Sequence, residues 1–172
     1  VLKSIDIKKN IASSSLLVLG RFKNVDIKKT ISFLSKEDQK NILDLLSVDL
    51  SDGNVGDYII LRGSSNFKRI MLFNLGDKDK LTSDTMRAFG AKLYSLVNSK
   101  RVKDMALDTK SFSITNNDKI QSAIEGMVLG SYKFEDYKSN KNKKNYLTDI
   151  VLMGTVDKAI VKKAKVIGES VC

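Results

Sequence analysis

Arg69-Ile70-Met71-Leu72-Phe73-Asn74-Leu75 leads into Gly76-Asp77-Lys78-Asp79-Lys80-Leu81-Thr82, and Asp104-Met105-Ala106-Leu107-Asp108 follows some twenty residues later. Between them Met86, Phe89, Leu93, Leu96 and Val97 recur three and four apart. The first stretch is a near-continuous apolar run of strand length, the kind that is covered on both faces. The middle stretch has the period of a helix with one apolar stripe. Thr82 or Ser83 supplies its capping hydroxyl, and Asp84 sits where the helix's positive end favours an acid. Strands separated by helices imply an α/β sandwich with a mostly parallel sheet.

The same grammar extends in both directions. Leu2-Lys3-Ser4-Ile5-Asp6-Ile7 alternates weakly, like an edge strand, and Ser15-Leu16-Leu17-Val18-Leu19-Gly20 is another apolar run. Ser35 is placed to cap a helix, with Asp38 three residues on and Ile42, Leu45 and Leu46 as its apolar face. Asp52-Gly53-Asn54 reads as a turn. Tyr58-Ile59-Ile60-Leu61 is a strand, and the loop Gly63-Ser64-Ser65-Asn66 is short enough to make a hairpin with the strand at 69–75. Asn117 can cap a helix that carries Ile120, Ala123, Ile124, Met127 and Val128 and runs to about Tyr132. Asp149-Ile150-Val151-Leu152-Met153 is the last strand. Asp157 opens a final helix with Ile160, Ala164, Ile167 and Val171 on one face. These readings predict a three-layer α/β/α sandwich whose sheet is mixed but mostly parallel.

The 172 residues fit one domain, 1–172, and no Pro-rich or Gly/Ser-rich linker divides them. No apolar run reaches the roughly 18–20 residues that a membrane helix needs. Val1–Asn10 alternates charge and apolar groups, unlike a signal peptide. The single cysteine, Cys172, allows no disulfide within the chain, so a reducing cytoplasm is the expected setting. The absence of an initiator Met, and a helical period still running at Cys172, point to a piece of a longer protein.

Histidine is absent, which excludes Ser-His-Asp and Cys-His catalysis and removes the commonest zinc ligand. Carboxylate metal sites and lysine bases stay open. Asp77 with Asp79, and Glu135 with Asp136, could each offer two oxygens to a cation, but both lie beside lysines and lack the pattern of a calcium loop. Gly76 follows a strand as phosphate-binding glycines do. It stands without a second glycine and next to two acids, so it reads as an ordinary turn.

The formal net charge of +10 attracts polyanions. Lysine far outnumbers arginine, whereas nucleic-acid readers favour arginine forks and aromatic platforms. The best candidate for such contact is the loop Lys138-Ser139-Asn140-Lys141-Asn142-Lys143-Lys144-Asn145, flanked by Tyr132, Phe134, Tyr137 and Tyr146.

Two stretches carry a resemblance. Residues 69–91, with the helical segment Met86-Arg87-Ala88-Phe89-Gly90-Ala91, look like the strand, Gly-Leu-Gly-like turn and small-residue helix of leucyl aminopeptidases, with Asn74 where the first glycine is usual. Ala123-Ile124-Glu125-Gly126-Met127-Val128-Leu129-Gly130-Ser131-Tyr132-Lys133-Phe134-Glu135-Asp136-Tyr137-Lys138 resembles that family's "E-G-x-x-L-G-x-Y-x-F-x-x-Y-K" signature. Gly126 and Gly130, four apart, would let another element approach closely. Ile167–Cys172 is similar to the helix that leads into the family's catalytic domain.

The resemblance implies a macro-domain-like, non-catalytic N-terminal scaffold and assembly domain, with a C-terminal catalytic domain following residue 172. It implies a cytoplasmic, homo-hexameric parent that removes N-terminal residues from peptides. Two divalent metal ions, zinc or manganese, are expected in the parent's catalytic domain. The family's "N-T-D-A-E-G-R" run does not occur here, so no catalytic, cofactor-binding or metal-ligating residue is assigned to any position of this chain. The expected partners are the chain's own catalytic domain, its copies in the hexamer, peptide substrates of the parent, and nucleic acid bound weakly and without sequence preference; a membrane is not among them. A basic nucleic-acid-binding module and a macro-type ADP-ribose binder are the alternative readings.

Overall fold

A computed structural model describes residues 2–10, 13–48, 54–112, 117–136 and 145–170. Six strands, β1 (Ser4–Lys8), β2 (Ser14–Phe22), β3 (Tyr58–Arg62), β4 (Phe67–Gly76), β5 (Asp104–Asp108) and β6 (Asp149–Met153), form one sheet in the order β1-β6-β5-β2-β4-β3. Every neighbouring pair is parallel except β3 with β4, which is the expected hairpin, with Tyr58 opposite Phe73 and Arg62 opposite Arg69.

The two-residue period of the strands divides the core. Leu16, Val18, Met71, Phe73, Met105, Leu107, Ile150 and Leu152 face one way. They meet the long helices α3 (Ser83–Ser99), α4 (Asn117–Asp136) and α5 (Lys158–Ser170). Leu17, Leu19, Ile70, Leu72 and Ala106 face the other way. They are covered by Ile31 and Leu34, and by Ile42 of α2 (Lys36–Val48), just after the short α1 (Ile27–Thr30). The result is the three-layer α/β/α sandwich with a mixed, mostly parallel sheet. Leu16 to Leu19 are wholly buried because β2 lies near the middle of the sheet with helices on both faces. β1 is the edge strand that its weak alternation predicts, and it pairs with β6 through Ser4 and Asp149.

Several local expectations need correction. α4 begins at Asn117 itself and runs to Asp136, one turn past Tyr132. Ser35 does cap α2, accepting from the Asp38 N–H at 3.2 Å. The Asp38 carboxylate, however, does not reach back to close a capping box. It is fully buried and accepts from the Ser64 N–H at 2.8 Å, which ties α2 to the β3–β4 turn. The buried face of α2 is Ile42 with Leu43 and Leu46 packed beside it, so Leu43 replaces Leu45. The buried face of α5 centres on Val161, Ala164 and Gly168, with Ile160 beside them. The turn at Asn54 is closed by Asp57, whose side chain accepts from the Asn54 N–H. Asp52, Gly53, Val171 and Cys172 lie outside the described residues.

Candidate functional site

The helices α3 and α4 carry the stretches that the sequence singles out. A β-carbon on Gly126 would run into the Arg87 carbonyl, and one on Gly90 into the Ala123 carbonyl. Each helix therefore places its glycine against the other's backbone. Gly130 lies one turn on, where a β-carbon would stand 3.1 Å from the Ala91 carbonyl oxygen. At the head of this seam the Arg87 guanidinium donates from Nε and Nη2 to Glu125 Oε2, at 3.2 and 3.0 Å. Gln121 donates to the other oxygen at 2.8 Å. Glu125 is buried, so these donors replace the water that the carboxylate gives up. Arg87 also reaches Asp84 on the exposed side. The cluster is a joint between helices, and its polar groups are engaged with one another.

The other candidates fare differently. Gly76 adopts a positive φ of 75° at the end of β4, and its carbonyl accepts from the Lys23 N–H at 2.9 Å, as a tight turn would have it. Asp77 caps the short 3-10 turn Lys78–Lys80 by accepting from the Asp79 N–H, so it has a structural partner in addition to solvent. Tyr132 packs against the core, and Tyr146 lies beneath Arg101, 5.8 Å from ring centre to guanidinium carbon. The lysine loop at 138–144, with Tyr137, and the side chains of Phe134, Glu135 and Asp136 lie outside the described residues.

A concavity absent from the sequence reading opens at the carboxyl ends of the strands. It encloses about 580 Å³ between the ends of β2, β5 and β6. Lys9, Lys29, Lys78 and Lys110 line it, and Asp108 is its single acid. Burial raises the Asp108 carboxyl above its ordinary value, while hydrogen bonding by Lys110 and Ser111 pulls the other way. The Ser111 hydroxyl donates to the Asp108 carbonyl at 2.7 Å and accepts from the Gly20 N–H at 2.8 Å, which fixes the loop after β5 against β2. Phe33 and Val25, also in the lining, are two of the few large apolar residues left exposed. The lysines come from four separate segments, none with a motif; only the rule that ligands gather at the carboxyl ends of parallel strands could have found the place.

Among the described residues no three His, Cys, Asp or Glu side chains stand together as a bound metal ion would need. Among the same residues no helix is long and apolar enough to cross a membrane.

The family profile described as "Cytosol aminopeptidase family, N-terminal domain" matches residues 18–141. The chain belongs to that family. A probable cytosol aminopeptidase of Persephonella marina is 27% identical over 142 residues, covering 72% of this chain and 29% of its own length. The structure superposes on a tomato leucine aminopeptidase mutant with a TM-score of 0.69 at 21% identity, over 99% of this chain and 36% of that one. It also superposes on a macrodomain of Oceanobacillus iheyensis with a TM-score of 0.65 at 15% identity, over 96% and 92% of the two chains. These two likenesses establish a shared fold. The chain thus spans about a third of the length of the aminopeptidases it matches. The α3–α4 seam, with Arg87, Gly90, Glu125, Gly126 and Gly130, lies wholly within the matched segment.

Proposed function

We propose that this chain is a non-catalytic scaffold and assembly domain of a cytoplasmic, two-metal leucyl aminopeptidase that removes N-terminal residues from peptides. The match of residues 18–141 to the N-terminal domain of the cytosol aminopeptidase family carries this reading. Chemistry supports it: the chain has no histidine, and its most elaborate polar cluster, around Arg87 and Glu125, is spent on joining two helices. In the parent, a pair of zinc or manganese ions in the catalytic domain would polarise the scissile carbonyl and lower the pKa of a bound water. Among the described residues no three His, Cys, Asp or Glu side chains stand together to hold such ions, which supports placing the chemistry in the catalytic domain. This domain's part is to hold a rigid α/β/α body against the catalytic domain and its copies in a homo-hexamer.

The test is hydrolysis of a leucine chromogenic substrate by the purified chain with added manganese or zinc. The expected outcome is no turnover above the metal blank. Turnover that scales with protein concentration and survives repurification would overturn the reading.

A further inference from the structure

We propose that β3 accepts one further strand, an extended acidic segment of another polypeptide laid antiparallel along its open edge. The inference is independent of the scaffold reading. Its first support is the main chain. β3 ends the sheet, and among the described residues β4 is the one strand beside it. The Gly63 N–H donates to the Lys68 carbonyl and the Asn74 N–H to the Asp57 carbonyl, so these are hydrogen-bonded pairs of the antiparallel ladder. Such pairs alternate along a strand. Ile59 and Leu61 therefore turn their amides and carbonyls toward β4, and Tyr58, Ile60 and Arg62 turn theirs outward. That row is a template for another strand.

The two edges of the sheet differ in how they are guarded. β1 carries Asp6 and Lys8, charges of both signs that discourage pairing. β3 reads Tyr58-Ile59-Ile60-Leu61 before its first charge, Arg62, and those four side chains are only half-buried.

Charge then names the partner. Arg62 stands directly opposite Arg69, a like-charged cross-strand pair that costs stability. Lys68 and Lys100 join them around a hollow of about 690 Å³ that has no acid among its described lining residues. Lys100 is held over the Tyr58 ring, 5.1 Å from its centre, so this charge sits beside the same strand. Asp38, which accepts from the Ser64 N–H of the β3–β4 turn, is wholly buried and does not line the hollow. A carboxylate on the residue opposite Arg62 would share the face of both arginines and offset their repulsion. Apolar residues alternating with the carboxylates would pack on Ile59 and Leu61, which face the other way. A second copy of this chain suits the edge less well, because it carries the same net charge of +10 and its own β3 holds no acid.

Fluorescence anisotropy with labelled decapeptides tests the proposal, on the whole chain at about 0.15 M salt to suppress long-range attraction. A peptide of alternating glutamate and valine should bind saturably, and its lysine-for-glutamate counterpart should not. In the antiparallel register the glutamates turn their N–H groups toward β3. N-methylating the glutamate amides should weaken binding by about tenfold or more, and N-methylating the valine amides by less than about twofold. These peptides test the chain unaltered. Arg62→Glu should weaken the glutamate peptide by about tenfold or more. Lys162→Glu, beside the β1 edge, changes the net charge equally and should alter binding by less than about twofold. Both positions are exposed, and melting temperatures no lower than the parent's will confirm folded variants. Absence of saturable binding by the glutamate peptide overturns the proposal, as does equal weakening by the two charge reversals. So does any result in which the glutamate-methylated peptide is not the weaker of the methylated pair. A dimer seen by sedimentation and lost in Arg62→Glu would give the edge to a second copy and overturn it too.

Discussion

A single oxygen of Glu125, Oε2, receives both the Nε and the Nη2 of Arg87, so one carboxylate oxygen on α4 clasps the guanidinium of α3. The carboxylate is buried, whereas the Arg87 side chain is 40% exposed. Removing the arginine strands a buried charge, which is costly, though water reaching the vacated side reduces the cost. Arg87→Ala should therefore destabilise the domain by about 2 kcal/mol. Adding Glu125→Leu to that variant should restore part of the loss, because the stranded charge is then gone. Urea denaturation of the two single variants and the double variant checks this. A double variant less stable than Arg87→Ala would show that the pair contributes mainly through packing.

The glycines of the same seam should respond unequally. Gly126→Val forces a side chain into the Arg87 carbonyl, where only backbone could yield. The loss should be at least about 3 kcal/mol, at the upper end for overpacking. Gly130→Val meets Ala91 at 3.1 Å and the Tyr94 β-carbon at 3.3 Å, which a small shift relieves, so about 1–2 kcal/mol is expected. Thermal melts of the two variants should keep that order; an inverted order would mean that the helices approach most closely at the other end.

The edge pair gives a pH signature. Ser4 donates to Asp149 Oδ1 at 2.7 Å and Thr148 donates to Oδ2 at 2.9 Å. These hydrogen bonds, Ser4's first, hold the Asp149 carboxyl below its ordinary value. A carboxyl depressed on folding adds stability that is present above its unfolded pKa of about 3.9 and lost as the pH falls through the lower folded value. Ser4→Ala should thus be slightly less stable than the parent at neutral pH, and the gap should close in strong acid. Urea midpoints across an acid pH series measure it. A gap of constant size at every pH would assign the loss to packing instead.

Binding of duplex DNA should be weak, indifferent to sequence and steeply dependent on salt, since lysine contacts act by releasing counterions. If the lysines at 138, 141, 143 and 144 carry it, replacing all four with alanine should flatten the log–log salt slope by roughly three to four units. Fluorescence anisotropy titrations measure that slope. Tight, sequence-selective binding at physiological salt would favour the nucleic-acid reading over the scaffold.

Strand and helix identities were legible because each strand run is short and nearly unbroken and each helix has one stripe: Asp104–Asp108 and Asp149–Met153 stand where their apolar runs put them. The α5 face was harder. Ile160, Ala164 and Ile167 compete with Val161, Ala164 and Gly168 for the same helical period, and a glycine adds no hydrophobic signal. The choice is made by α4, whose Val128 needs the space at Gly168. Asp38 looked like a capping acid because its true donor, the Ser64 N–H, arrives only when the β3–β4 hairpin folds over α2. The lysine cleft could not be read locally at all. Lys9, Lys29, Lys78 and Lys110 are ordinary surface residues in sequence, and only the parallel arrangement of strand ends draws them together.

The register of β1 against β6 also sets a timetable. Asp149 is made 145 residues after its partner Ser4 (149 − 4), and among the described residues β6 is the strand that β1 pairs with. At a synthesis rate of roughly 5–20 residues per second, β1 waits about 7–29 s on the ribosome before its neighbour exists. During that interval Ile5 and Ile7, which end up packed against the main core, sit on a strand that still lacks its β6 neighbour. The alternating charges Lys3, Asp6 and Lys8 are then what keeps this segment from pairing with another nascent chain.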